Sequence, residues 1–220
     1  MQINRFCVNM IQENCYLVWD ETRQAVLIDC GAYYAEEQKA ISDFIAAHNL
    51  TLTHLFNTHA HFDHLFGAAY IYEKYGVKIE LCVDEQETYE KAVAFMTNGL
   101  HLNLNLELPP VGHWFKDGDK LRFGNTTFEV IATPGHTPGG VCFYCEEEGV
   151  LFSGDTLFRH GIGRCDFPGG NGEQLIHSIK TRILTLPGTV KVLPGHGEIT
   201  TIAEERRISR YACFVIPDGI

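Results

Sequence analysis

The segment NTHAHFDHLFGA, residues 57–68, sets His59, His61, Asp63 and His64 within six positions, directly behind the apolar run of THLF. This pairing constrains the fold more than any other feature. The strand must be buried, yet its end must present four cation- or proton-binding groups together. Three further residues share that setting. His136 follows FEVIA in TPGHTPGG, Asp155 follows GVLFS in LFSGDTLF, and His196 follows TVKV in LPGHGE. Strand ends that feed loops are where rigid scaffolds mount reactive groups. The neighbouring glycines permit tight turns and close backbone approach.

Read as ligands, these residues divide naturally. Side chains at i and i+2 of an extended chain point the same way, so His59 and His61 can grip one ion. Asp63 and His64 are adjacent and, if the chain turns there, reach a second. His136 completes three nitrogens on the first ion, and His196 joins Asp63 and His64 on the second. Asp155, with two oxygens, can bridge both. Each ion keeps an open position for water, as a catalytic site requires. Mixed nitrogen and carboxylate donors suit zinc, iron and manganese alike. Two divalent ions are expected, with zinc the first expectation. His48, His54, His101, His113, His160 and His177 lack such settings and are expected in structural or solvent roles.

The rest of the chain reads as alternating strands and helices. Strands are predicted in INRFCVNM, NCYLVWD and AVLIDCG, then a helix over EEQKAISDFIAAHN. A helix over GAAYIYEKYG should end at Gly76. The strand KIELCV leads into a helix over residues 84–98 with Asp84 as N-cap. Residues 99–116 fit neither period and are expected to be a connecting loop with exposed apolar side chains, a candidate flap over substrate. A second β-rich stretch follows, then a helix in NGEQLIHSIKTRILTL, the strand TVKVLPG and a short final helix in IAEERRISRYA. Two halves, each opening on strands and going on to helices, fit two packed sheets with helices outside.

Composition narrows the function. The chain has 220 residues, 45% hydrophobic and 20% charged, enough for a sizeable core. A net charge of -11 argues against a nucleic-acid partner. No apolar stretch approaches a membrane span and no leader is visible at the start, so a cytoplasmic protein acting on a small molecule is expected. The eight cysteines are scattered, and reduced, packed thiols are expected, including the CxxC of Cys142 and Cys145 in GVCFYCE.

The residues of THAHFDH match the HxHxDH signature of the metallo-β-lactamase superfamily, and His136, Asp155 and His196 fall in that superfamily's order. The resemblance covers essentially the whole chain. It implies an α+β fold, a four-layer αββα sandwich forming a single domain over residues 1–220, with metals in a cleft between the sheets. FSGDTLFRHGIGRCDFPGGNGEQL resembles most the glyoxalase II-like branch, in its short single-domain bacterial form. The resemblance implies the ligand division given above. It also implies that Asp29, in LIDCG, supports ligating histidines from behind. An aspartate at 155, where most class B β-lactamases carry cysteine, favours a binuclear hydrolase.

The activity this implies is hydrolysis of a hydroxyacylglutathione-type thioester. Asp63 and Asp155 would act with a metal-bridging hydroxide, and a thiolate would leave with little acid assistance. Arg164 and Asp166, on the loop after Asp155, are expected either to pair structurally or to line the cleft. Longer relatives carry a C-terminal helical domain that binds glutathione, whereas this chain ends 24 residues after His196. Recognition by that route is therefore not expected. Arg206 and Arg207 are the candidate substitutes, with exposed helix ion pairs their expected role. Two other activities fit the same letters. One is a persulfide dioxygenase holding one iron through His59, His136 and Asp155. The other is a lactone or ester hydrolase. A non-catalytic binding module of this fold would be expected to lack some of the seven ligands.

Overall fold

The computed structural model describes residues 1–208 of the chain. The first half builds one sheet in the order β1 (Gln2–Val8), β2 (Glu13–Trp19), β3 (Gln24–Ile28), β4 (Thr51–Phe56), β5 (Ile79–Cys82) and β6 (Val111–Phe115). Antiparallel pairing through β3 gives way to parallel pairing from β3 to β6. Parallel neighbours need crossovers, and the helices α1 (Ala35–Ala47), α2 (Ala68–Tyr75) and α3 (Gln86–Ala94) lie in them. α2 stops at Gly76, whose φ of 69° only glycine adopts easily.

The second half begins with β7 (Lys120–Phe123), β8 (Thr126–Ala132), β9 (Val141–Cys145) and β10 (Val150–Gly154). A two-stranded hairpin of β11 (Leu157–Phe158) and β12 (Gly161–Ile162) follows. Next come α4 (Gly172–Ser178), β13 (Lys191–Pro194), β14 (Thr200–Thr201) and α5 (Ile202–Ile208). The second sheet has the order β14-β13-β10-β9-β8-β7, antiparallel except for the parallel pair β10 and β13 that α4 connects.

The period-2 alternation of strand side chains sorts the core into three layers. Tyr16, Val18, Val26, Ile28 and Phe56 of the first sheet meet Phe128, Val130, Phe143 and Phe152 of the second. The intervening positions Leu17, Leu27 and Leu55 face Ile41, Ile45 and Ile71 of the first helical layer. Cys142, Tyr144 and Leu151 face Leu175, Ile179 and Ile202 of the other. The expected αββα sandwich is therefore present, with an aromatic layer between the sheets. Phe143 sits in that layer with ring centroids 5.8 Å from Phe56 and 5.7 Å from Phe115. The same alternation separates the CxxC pair: Cys145 belongs to the inter-sheet layer and Cys142 to the outer one. Burial pushes the Cys142 thiol up to about 11, so it stays protonated and packs as a small apolar group.

Three expectations need correction. Residues 99–116 are not all loop, because Val111–Phe115 adds the edge strand β6. Its side chains alternate weakly in burial, as an edge strand allows. The leucines before it are not exposed: Leu106 is buried, and Leu100, Leu102, Leu104 and Leu108 pack against the first-sheet core. Asp84 is not the N-cap of α3. It lies inside a 3-10 turn, Val83–Glu85, that precedes the helix. The helix predicted over 171–186 forms α4 and then widens into a π turn, Ile179–Ile183, with Asn171 accepting from the Gln174 amide at 3.0 Å. The end of the predicted final helix lies outside the described residues.

Truncating Phe143 to alanine should cost about 3–5 kcal/mol, the range for large-to-small changes in well-packed cores. Urea unfolding followed by fluorescence checks this; a loss under about 1 kcal/mol would show that the layer repacks around the hole.

Candidate metal centre

β3 and β4 run parallel, and β8, β10 and β13 share one direction in the other sheet. Their C-terminal ends meet at one edge of the sandwich. Asp29 follows β3 directly, His59 and His61 follow β4, and Asp63 and His64 lie in a 3-10 turn, Phe62–His64, just beyond. His136 sits in the turn after β8, Asp155 follows β10 and His196 follows β13. All seven predicted ligands are brought together.

They form two groups. Donor atoms of His59, His61 and His136 all lie within 4.8 Å of one another, as do those of Asp63, His64 and His196. In the first group His136 Nε2 is 2.8 Å from His61 Nδ1 and 3.3 Å from His59 Nε2. In the second, Asp63 Oδ2 is 3.2 Å from His196 Nε2 and 3.6 Å from His64 Nε2. Asp155 stands between them. Its Oδ1 is 3.5 Å from His64 Nε2, and its Oδ2 is 3.5 Å from His136 Nε2 and 3.7 Å from His196 Nε2.

This arrangement fits a pair of cations. His64 Nε2 and Asp155 Oδ1 are buried with no hydrogen-bond partner, which is costly unless something else satisfies them. Burial drives His59 well below its ordinary pKa and His61 down to about 3, with repulsion from His136 adding to both. Both are thus neutral and carry the lone pairs that a metal needs. Burial alone would raise Asp63 and Asp155, yet His64 and the other imidazoles around them hold both below the usual carboxylate range. His64 is pushed the opposite way. Burial would lower it, but Asp63, Asp29 and Asp155 together raise it well above an ordinary histidine. A negative field that draws a proton onto a buried imidazole also attracts a divalent cation.

Three of the rings, those of His59, His64 and His136, have a polar atom close behind them. Asp29 accepts from the Thr58 amide at 2.7 Å and the Thr58 hydroxyl at 2.9 Å. That hydroxyl, having donated its proton, can accept only from His59 Nδ1, 3.0 Å away. This assigns the His59 tautomer and leaves its Nε2 free. Asp29 Oδ2 also lies 3.1 Å from His64 Nδ1. His136 Nδ1 donates to the Arg164 carbonyl at 2.6 Å. Gly195 is required here: a Cβ on it would lie 2.4 Å from Asp155 Oδ1 and 2.8 Å from the His64 ring.

Sequence reading missed several supports. Glu85 is fully buried and accepts from the Ala60 amide at 2.8 Å and the Gly139 amide at 2.7 Å. It thereby ties the loop carrying His59 and His61 to the loop carrying His136. Burial pushes its carboxyl up to about 7. Glu13, also fully buried, accepts from the Gly31 amide at 3.0 Å and lies 4.0 Å from His64 Nδ1. Asn9 donates to the carbonyls of Asp63 and Gly31, each at 2.9 Å. A signal for Glu85 was present: it lies i, i+4, i+7 and i+11 with the buried Tyr89, Ala92 and Met96. Nothing comparable marks Glu13 or Thr58.

A cleft of ≈ 490 Å³ opens over the cluster, its walls including Ile11, Phe158, Ile162, Arg164 and Phe167. Arg164 grips Asp166 bidentately, at 2.7 and 2.8 Å, and stacks 3.8 Å from the Phe167 ring centroid. Arg164 therefore does both things expected of it, while Asp166 holds Arg164 instead of lining the cleft. Arg206 donates to the Leu184 carbonyl at 2.5 Å and to that of Leu186, a structural role remote from the site. No residue of 99–116 lines the cleft, so the expected flap is not placed there.

Thr58→Val keeps the shape of the side chain and removes the link from Asp29 to His59. It should weaken metal binding about 10–100-fold, the usual cost of losing such a support, with the fold kept. Competition with a chromophoric chelator, alongside circular dichroism, measures this; unchanged affinity would refute the orienting role.

Comparison with known proteins bears on the family and the fold. Residues 8–196 match the model of the Metallo-beta-lactamase superfamily. A hydroxyacylglutathione hydrolase, GloC, of Haemophilus influenzae is 36% identical over 209 residues, covering 94% of this chain and 96% of that one. The human mitochondrial persulfide dioxygenase ETHE1 is 34% identical over 199 residues, covering 88% of this chain and 69% of that one. The crystal structure of TTHA1623 in a di-iron-bound form superposes with a TM-score of 0.81 at 35% identity, covering 94% of this chain and 99% of that one. With two sheets delivering a histidine- and aspartate-rich cluster to one shared edge, the chain belongs to the metallo-β-lactamase superfamily.

Proposed function

We propose that the chain is a two-metal thioesterase acting on hydroxyacylglutathione-type thioesters. The observation that carries this is the completeness of both donor groups, with Asp155 reaching across them. His59, His61 and His136 would hold one ion, Asp63, His64 and His196 the other, and Asp155 both. When bound, such ions supply a hydroxide nucleophile near neutral pH and stabilise the oxyanion that develops on an attacked carbonyl. The protein's own part is to fix the donors, keep His59 and His61 neutral and offer a cleft for the substrate. Thiols ionise near pH 8.5, so a thiolate leaves without a dedicated acid. Among the described residues, the cleft walls carry no carboxyl or imidazole beyond the ligands themselves. Likeness to the Haemophilus hydrolase supports the thioester reading, and the di-iron relative supports two ions.

Likeness to the human dioxygenase favours a second reading, in which one iron sits on His59, His136 and Asp155. The intact Asp63, His64 and His196 group favours the first.

Metal analysis of the purified protein should find two ions per chain, and Asp63→Ala should lower this to about one. Hydrolysis of lactoylglutathione by the same variant should fall at least about 100-fold, since an interaction made in the transition state is lost. One iron per chain with oxygen uptake on glutathione persulfide, and no thioester cleavage, would replace the hydrolase by the dioxygenase.

A further inference from the structure

A second cavity, of ≈ 560 Å³, abuts the metal cleft and shares His61 and Phe62 with it. Its volume falls inside the roughly 300–1,000 Å³ of small-molecule sites. α3 and the π turn after it, Phe95–Gly99, form one side. Ala60, Phe62 and Ala92 form a buried apolar floor, and Phe95 and Pro138 extend the apolar wall. Phe95 packs edge-on against Phe167 of the metal cleft, with centroids 5.0 Å apart, and Phe167 stands 5.4 Å from His61. One apolar surface thus runs from the candidate metal centre into this second space.

The polar groups here do not suit a charged guest. Lys91 and Glu87, both on the rim and exposed, pair with each other along the helix. Asp84 adds a further acidic group on the wall. Two carboxylates against one lysine disfavour the carboxylates of a glutathione-like carrier here, and, His61 apart, the neutral polar side chains are confined to Thr88 and Asn98. A lactoyl group is small and polar and would leave most of the space unfilled.

We propose that this cavity receives an unbranched apolar acyl chain, so that the enzyme takes medium-chain acyl thioesters, with the thiol half lying in the metal cleft. The assignment rests on the thioester reading but departs from the hydroxyacyl group named there: it gives the substrate a longer, apolar acyl side. Each methylene that enters an apolar pocket gains about fourfold in binding.

The experiment uses the metal-loaded protein and thioesters of one thiol, with acyl chains of two to eight carbons. kcat/KM should climb by about fourfold per methylene until the pocket is full. Thr88→Trp and Ala94→Trp project bulk into the cavity from half-buried and exposed positions of α3. Both should bring the ratio of eight-carbon to two-carbon rates towards one. A flat series for the wild type, or a steep series surviving in both variants, overturns the proposal. Lengthening the thiol side instead, with acetyl fixed, should give little change; a steep dependence there assigns the cavity to the leaving group and equally overturns it. Calorimetry with octanoate and acetate reads the pocket without catalysis. Octanoate should bind at least tenfold tighter than acetate to the wild type and lose that margin in Thr88→Trp. If no thioester is cleaved but octanoate keeps its margin, the thioester reading fails and the apolar site stands. If the margin is absent, the site itself fails.

Discussion

Loops with little regular structure hold the seven ligand-type side chains, so the centre depends on what immobilises those loops. The answer is a small set of buried carboxylates accepting backbone amides. Asp29 takes the Thr58 amide, Glu85 takes those of Ala60 and Gly139, and Glu13 takes that of Gly31. Removing one partner in a dry interior costs the full desolvation of the other. The loops are therefore fixed at the points between the ligands, leaving the ring nitrogens free to face one another.

The aromatic layer between the sheets does the coarser positioning. Phe56, Phe128, Phe143 and Phe152 set the two sheets face to face, and the β-strand directions then bring five strand ends to one edge. Direct backbone links complete the seam: the Val141 amide donates to the Thr58 carbonyl at 2.9 Å, and the Asn14 amide to the Gly195 carbonyl at 2.7 Å. Without that registration, His136 and His196 would not reach the partners supplied by the first sheet.

Much of this was legible in the residue order because ligands must sit where a strand stops, and an apolar run followed by glycine and histidine marks that stop. The unbroken apolar runs within NCYLVWD and VCFYC likewise announced strands buried on both faces. The strand Val111–Phe115 escaped because it is an edge strand with exposed Gly112 and His113 and half-buried flanks, so neither period stands out. Glu13 and Glu85 escaped for a different reason. A charged residue beside other polar ones reads as solvated, as in VDEQET; the phase of Glu85 with Tyr89, Ala92 and Met96 marks it as inward-facing, but not which amides it meets. Thr58 was hidden in plain view between the strand and the motif, since a hydroxyl's partners leave no periodic trace.

Each candidate ion group draws ligands from both halves of the chain: His59 and His61 with His136, and Asp63 and His64 with His196. An ion held by either group is thus a cross-link between the two sheets as well as a reagent. Mass action then joins folding to metal supply: free ion at 100 times its dissociation constant adds about 2.7 kcal/mol to the folded state. A cell that withdraws the ion would loosen the seam between the halves along with silencing the chemistry. The lifetime of the protein would then record how much metal was at hand.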